Sequence, residues 1–361
     1  MYESDSRTVM TLDAGGTNFV FSAIRGCREV VEPVRLDAVT DDVDRCLAVL
    51  VEGFRRVEQS LEEAPVAISF AFPGPADYEA GVIGDLPNFP CFRGGVAMGP
   101  YLSEVFHLPV FINNDGNLFA YGEALAGALP VLNKALEEAG SSQRCRHLLG
   151  ITLGTGFGAG VVLDGKLLTG DNGCGGDVWL MRNVFSPDQI VEENVSIRAV
   201  RRVYRELSSD QADYTPKDIF EIAEGRKEGN VQAAQESFRR LGIAAGDAIA
   251  HALDIVDGLV VLGGGLAGAS AYILPSLVET LGPWLQMEPL DLTTQEGMRR
   301  FLEDTSVLVP VPGTTKSVRY RKQKKTGITV SRLGTSTAVA LGAYAYALSQ
   351  IDNTYSINSK H

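Results

Sequence analysis

A carboxylate set among side-chain amides, Asn113-Asn114-Asp115-Gly116-Asn117, closes an apolar run at 110–112 and leads into a helical pattern over 116–128. At such a junction Asp115 can take a proton from a substrate hydroxyl while Asn114 and Asn117 orient the substrate or the loop. An aspartate there can equally cap the helix. A second segment, Asp13-Ala14-Gly15-Gly16-Thr17-Asn18, lies between two β-like runs. Its glycines let backbone N–H groups approach an anion, Thr17 adds a hydroxyl, and Asp13 supplies a carboxylate able to hold a hydrated divalent metal. A plain hairpin turn would look the same. The third segment, Gly154-Thr155-Gly156-Phe157-Gly158-Ala159-Gly160, formally contains the G-x-G-x-x-A dinucleotide fingerprint. That fingerprint should open a helix, whereas here it runs into Val161-Val162-Leu163-Asp164-Gly165, an apolar run closed by a turn, so a phosphate-cradling hairpin fits better. The fourth, Gly263-Gly264-Gly265-Leu266-Ala267-Gly268, follows a strand and precedes a helix. The next strand expected after it, 306–311, lies too far along the chain for a compact dinucleotide-binding βαβ unit, which leaves ligand binding and close helix–strand packing as alternatives. The P-loop G-x-x-x-x-G-K-[ST] is absent, and His107, His147, His251 and His361 form no hydrolytic triad pattern.

These segments need elements to hold them. Residues 9–12 and 19–24 read as a glycine-turned hairpin, and 147–153 with 161–163 as a second one. Helical spacing is read around 41–63, over 189–207 and 216–256, and in the Ala-rich stretch 337–348, with strands at 66–70, 110–112 and 258–262. Two similar hairpins, each followed by helices and strands, predict an α/β fold of two related halves.

Composition narrows the function classes. With 361 residues, 45% apolar and 21% charged, the chain can bury a sizeable core in two domains. A formal charge of −13 repels nucleic-acid phosphates and anionic membranes on average. The short cationic cluster at 319–325 reads as a solvated loop or hairpin. Cys27, Cys46, Cys91, Cys145 and Cys174 are scattered and odd in number, as expected of reduced thiols. Neither a leader-like start nor an apolar run long enough to span a bilayer is seen, so a cytoplasmic location is expected.

Taken in order, DxGGT at 13–17, PGP at 73–75, NDxN at 114–117, GTGxGxG at 154–160 and GGG at 263–265 resemble the ROK family of sugar kinases and repressors across essentially the whole chain. The resemblance implies the actin/hexokinase-like ATPase fold, with two related α/β domains and an active-site cleft between them. It places an N-terminal domain at 1–115, completed by a C-terminal helix at 335–350, and a larger domain at 116–334. It also implies an ATP-dependent kinase acting on the 6-hydroxyl of a hexose, glucose or a related hexose or N-acetylhexosamine. Asp115 falls at the general-base position, in a segment that continues to Gly122-Glu123. Asn88, Asn114, Asp177, Glu192 and Gly74 fall, with Asp115, at sugar-binding positions. Asp13, Gly15, Gly16, Thr17, Gly154, Thr155, Gly156, Gly264 and Gly265 fall at ATP-binding positions, and Asp13 would hold Mg²⁺ through water. Glu192-Glu193-Asn194-Val195-Ser196 resembles the family's E-x-x-x-S segment, which selects Glu192, and Glu193 is read as its structural or solvated neighbour.

The chain departs from the family's zinc-containing members. Asp177 stands where those carry a glutamate, Leu180 where they carry a zinc-binding histidine, and their cysteine cluster is missing. No structural zinc is therefore expected, and the choice of hexose is left open. A homodimer is implied, with no nucleic-acid or membrane partner. The rival readings are a sugar-responsive regulator, a silent sugar-binding protein, and a kinase for another acceptor. Only twelve residues precede Asp13, too few for the helix-turn-helix expected of a regulator.

Overall fold

The computed structural model describes residues 2–14, 17–85, 90–141, 143–282, 286–303, 305–321 and 325–358. The expected site residues Gly15, Gly16 and Asn88 lie outside them. The first half of the chain carries β1 (Val9–Ala14), β2 (Asn18–Arg25), β3 (Arg28–Glu29), β4 (Val34–Asp37), α1 (Val43–Gln59), β5 (Ala67–Ala71), β6 (Ala76–Asp77), β7 (Val82–Ile83), α2 (Met98–Phe106), β8 (Val110–Asn113), α3 (Asp115–Leu125) and α4 (Ala128–Glu138). After it come β9 (Leu148–Leu153), β10 (Phe157–Leu163), β11 (Lys166–Leu167), α5 (Ile197–Ser208), α6 (Pro216–Ala223), α7 (Val231–Val256), β12 (Leu259–Gly263), α8 (Ser270–Thr280), β13 (Gln286–Pro289), α9 (Gln295–Leu302), β14 (Ser306–Pro310), β15 (Ser317–Arg321), β16 (Lys325–Val330) and α10 (Thr335–Asn358).

The two halves repeat one topology. The first sheet runs β3-β2-β1-β5-β8, with β4 added on β2, and the second runs β11-β10-β9-β12-β16-β13. In each, a hairpin with a very short third strand is extended by parallel strands: β1 pairs with β5 and β5 with β8, and β9 pairs with β12 and β12 with β16. The duplication expected from the two glycine-turned hairpins is thus present down to strand order.

The chain divides into two compact units, one made of Met1–Gly127, Gly160–Gly176 and Leu333–His361, the other of Ala128–Ala159 and Asp177–Arg332. The first therefore runs past residue 115 and takes in α3, most of β10 and the C-terminal helix. In it, strand alternation sorts the core. Met10, Leu12, Phe19, Phe21, Ile68 and Phe70 point to one face, where they meet Cys46, Leu50, Phe54 and Val57 of α1. Val9, Ile24 and Ala67 point to the other, where they meet Leu341, Tyr344, Ala347 and Leu348 of α10. Helix α10 also crosses α3 at two glycines. A Cβ on Gly122 would overlap the Ala338 carbonyl, and one on Gly342 would overlap the Leu118 carbonyl, so only hydrogen lets the two backbones come this close.

The second unit differs from the sequence reading in three places. The helix expected over 189–207 begins only at Ile197, because Val191–Glu193 forms a 3-10 turn. The helical span 216–256 is two helices, separated by a turn with Gly225 and Gly229 at φ of +71° and +155°. The strand expected at 306–311 does not continue the main sheet but pairs antiparallel with β15 as a separate hairpin; β13 and β16 occupy the sheet instead.

Candidate active site

In the first unit the parallel strands deliver their C-terminal ends to the candidate residues. Strand β8 ends at Asn113, Asn114 is the N-cap of α3, and Asp115 is the first helical residue. The Asn114 Oδ1 accepts a hydrogen bond from the Asn117 amide at 2.6 Å, so the cap is Asn114 and the Asp115 carboxylate is left for other work. Buried Asn113 braces the turn, its Oδ1 accepting from the Asn114 amide and from Asn117 Nδ2, each at 2.9 Å. The Asn117 Oδ1 is buried with no hydrogen-bond partner.

Asp115 is open to solvent, yet surrounding protein desolvates it enough to push its pKa above the usual carboxylate value. Hydrogen bonds from its own amide and from that of Gly116 oppose the shift, the Gly116 amide lying 2.9 Å from Asp115 Oδ1. Glu123, about two turns further along the same helix, is fully buried.

Asp13 is exposed at the end of β1, and none of the described cations forms an ion pair with it. Thr17 is exposed at the start of β2; its hydroxyl accepts from Asn18 Nδ2 at 3.2 Å, and its carbonyl accepts from the Ala38 amide at 3.0 Å. Gly74 precedes Pro75 through a cis peptide bond, over the Tyr78 hydroxyl, which donates to the Phe72 carbonyl at 2.9 Å.

In the second unit, the turn between β9 and β10 holds Gly154, Thr155 and Gly156. The Gly154 amide donates to the Gly156 carbonyl at 3.0 Å, and Thr155 is exposed at the tip. Glu192 packs against this turn. Its Oε2 accepts from the Phe157 amide at 3.0 Å and would lie 2.5 Å from a Cβ on Gly156. Arg198 reaches the other oxygen, Oε1, at 3.4 Å, and Glu193 Oε1 at 3.3 Å. Glu193 is thus ion-paired as well as partly solvated. Gly264, at φ +87°, would place a Cβ 2.6 Å from the Leu153 amide nitrogen, so this glycine lets the turn after β12 lie directly on the end of β9. Gly265 opens the 3-10 turn Gly265–Ala269 and faces open space. Asp177 is partly buried and starts a 3-10 turn, Val178–Leu180, without capping it through its side chain.

Within the first unit, then, Asp115 and Asn114 share one turn, while Asp13 and Thr17 sit at the mouth of the first hairpin. Within the second, Glu192 joins the turn of Gly154, Thr155 and Gly156, and Gly264 joins it through Leu153. Arg198 escaped the sequence reading, whereas Ser196 closes the E-x-x-x-S segment that singles out Glu192. Ser196, three residues beyond Glu193, is fully buried with an unpartnered hydroxyl, next to Ile197 whose amide donates to the Gly154 carbonyl at 2.9 Å. Arg198 pairs both glutamates and has no motif of its own.

A model described as ROK family matches residues 9–296. The chain is similar to a glucokinase from Parabacteroides distasonis, with 58% identity and a TM-score of 0.89 over 97% of this chain and 99% of that one. It is 28% identical to a glucokinase of Thermotoga maritima over 306 residues, 74% of this chain and 89% of that protein. A ROK family glucokinase from Streptomyces griseus, solved in complex with glucose and AMPPNP, shares the fold at a TM-score of 0.59 and 18% identity, over 93% of this chain and 98% of that one. The repeated sheets are those of the actin/hexokinase-like ATPase fold, and among the described residues no helix is long and apolar enough to cross a membrane. With its motifs in family order and most of its length matched, the chain belongs to the ROK family.

Proposed function

We propose that this protein is an ATP-dependent hexose kinase that phosphorylates the sugar 6-hydroxyl. The observation that carries the reading is Asp115: a solvent-accessible carboxylate at a strand–helix junction, relieved of capping duty by Asn114 and raised in pKa by desolvation. The glucokinases to which the chain is similar support the same reading.

Phosphoryl transfer asks the protein mainly to position reactants and balance charge. In this mechanism the 6-oxygen forms a bond to the γ-phosphorus as the bond to the β-phosphate oxygen breaks, and Asp115 accepts the hydroxyl proton. The raised pKa brings the base closer to the working pH. Asn114 makes no hydrogen bond through Nδ2 among the described residues, which leaves that amide to orient the sugar. Asn88, Asp177, Glu192 and Gly74 complete the sugar site in this reading. Glu192 has a second duty, since the Phe157 amide on its carboxylate ties sugar recognition to the turn of Gly154, Thr155 and Gly156 that would cradle phosphates. Gly15, Gly16 and Thr17 serve the same purpose in the first hairpin, and Gly264 and Gly265 receive the adenosine.

Mg²⁺ would accompany the nucleotide. An exposed carboxylate without a paired cation among the described residues suits a hydrated hard cation, so Asp13 fits the role of holding the metal through water. The ion supplies charge neutralisation on the phosphates. The reading extends to a cytoplasmic homodimer, which light scattering on the purified chain checks.

The decisive experiment is ATP/Mg²⁺-coupled ADP release across a panel of hexoses and N-acetylhexosamines, with Asp115→Asn beside the wild type. Sugar-dependent release lost in the variant upholds the proposal and names the hexose. Binding of sugar without release for any member of the panel replaces it with a silent sugar-binding protein.

A further inference from the structure

The second unit has another end. The glycine turns lie at the C-terminal ends of β9 and β12, whereas a cavity of about 300 Å³ opens at the leading ends of β9, β12 and β16, beside His147, Gly258 and Lys325. Five to six residues of strand, at about 3.3 Å each, separate the two ends by roughly 17 Å. The cavity is therefore distinct from the nucleotide turns.

Its walls are cationic in a chain whose formal charge is −13. Arg144, Arg146, Arg321 and Lys325 line it, against Asp257 and Glu303 as the carboxylates among the described lining residues. Lys325 Nζ donates to the backbone carbonyls of Arg300 at 2.6 Å and Glu303 at 3.4 Å, which fixes the ammonium without neutralising it. Arg144 Nη1 is held by the carbonyls of Ser141 and Gln143 at 2.9 and 2.8 Å, and its carboxylate partner, Glu137, is an exposed contact at 3.5 Å. Arg321 has no ion pair among the described residues, and its charge partly offsets the burial that raises the Cys145 thiol pKa to about 11. The guanidinium thus acts on the same side of the cavity as Cys145. Backbone carbonyls that fix cations in place are a preorganised arrangement for an anion.

We propose that this cavity binds a small organic phosphate monoester. Size favours a small molecule: about 300 Å³ lies at the lower limit of ligand pockets. Charge favours a dianion, because fixed guanidinium and ammonium groups converge on a concave surface that concentrates their field. The inference stands independently of the hexose kinase reading, since no residue of the nucleotide or sugar turns takes part.

The test is calorimetric titration of glycerol 3-phosphate into the full-length protein presaturated with AMPPNP and Mg²⁺. One equivalent should bind, and the affinity should fall at least about tenfold in Arg321→Gln/Lys325→Gln but stay unchanged in Arg319→Gln, on the same strand outside the cavity wall. A second readout needs no variant: glycerol 3-phosphate should protect Cys145 of the wild type from iodoacetamide at mildly alkaline pH, followed by peptide mass spectrometry. Equal affinity in the double variant and wild type, no binding in the millimolar range, or unprotected Cys145 at saturation would each overturn the proposal. So would binding of a single-stranded oligonucleotide that depends on Arg321 when the ester does not bind.

Discussion

Gly342→Ala tests the link between packing and catalysis. Its new methyl would lie 2.7 Å from the carbonyl carbon and 3.0 Å from the Cα of Leu118, both backbone atoms of α3. The Leu118 carbonyl oxygen is nearer still, so restoring ordinary contact requires α10 and α3 to part by more than about 1 Å, and backbone of a packed helix does not swing aside as a side chain would. Overpacking of this kind costs about 1–3 kcal/mol. Replacing a helical glycine by alanine returns at most about 1 kcal/mol of helix propensity, so the balance is a loss of roughly 1–2 kcal/mol. Because α3 begins at Asp115, its displacement should also move the base, and turnover should fall by about tenfold or more while nucleotide KM changes little. The assay is urea unfolding followed by far-UV circular dichroism, paired with coupled ADP release. Gly268→Ala is the control: a Cβ there meets nothing within 4 Å, and the change should stay within about 0.5 kcal/mol with normal turnover. An unchanged urea midpoint and turnover in Gly342→Ala would refute the argument that the two helices touch backbone to backbone.

Other outcomes follow from the same structure. Asp115→Asn should lower kcat by at least about 100-fold with sugar affinity within a few-fold, as sugar titration by calorimetry will show. The acid limb of kcat/KM in the wild type should lie above the ordinary carboxylate range, since activity needs ionised Asp115 and its pKa is raised. The stability sign is opposite: a raised folded-state pKa stabilises the fold below the unfolded pKa, and that contribution is lost as pH rises through the folded value. Asp115→Asn should therefore melt higher than wild type at neutral pH, and a lower melting temperature would argue against a desolvated carboxylate. Glu192→Ala should raise KM for both hexose and ATP, because the carboxylate holds the Phe157 amide, whereas Glu193→Ala should change both by less than about threefold. Among the thiols, exposed Cys174 should be alkylated first and Cys46, whose pKa burial pushes up to about 12, only on unfolding; peptide mass spectrometry gives the order.

Elements with a strong period or a glycine turn were legible in the sequence. The hairpin of β1 and β2 and the strands β5, β8, β9 and β12 follow apolar runs that a buried sheet demands, and the pairing of each DxGGT-like or GTGxG turn with such runs exposed the duplication. Regions where local and tertiary signals compete were not. The segment Lys-Thr-Gly-Ile-Thr-Val of β16 is half polar, yet it is a central strand because Val260, Val261 and Leu262 of β12 pair with Ile328, Thr329 and Val330. The apolar stretch of β14 looked like the better strand but lies in a separate hairpin. At 189–196, helical spacing masked a 3-10 turn whose shape is set by Glu192 bonding the Phe157 amide, a contact across 35 residues. The candidate site divides similarly. Asp115 was visible from its motif, but its freedom from capping depends on Asn114 taking the cap, and its raised pKa on burial around it. Sequence order carries neither.

The first unit is built from both ends of the chain, with Leu333–His361 packed among elements that precede Gly127. On a ribosome this sets an order of events. Residues that form the first sheet emerge early, but the face made by Val9, Ile24 and Ala67 stays uncovered until α10 has been synthesised, after all of the second unit has left the tunnel. The second unit can close while the first is still waiting, as domain-wise folding during translation allows. Helix α3, which presents Asp115, gains its glycine crossing only at that last step, so a chain truncated before residue 333 would carry every candidate catalytic motif and still lack the helix that braces the base.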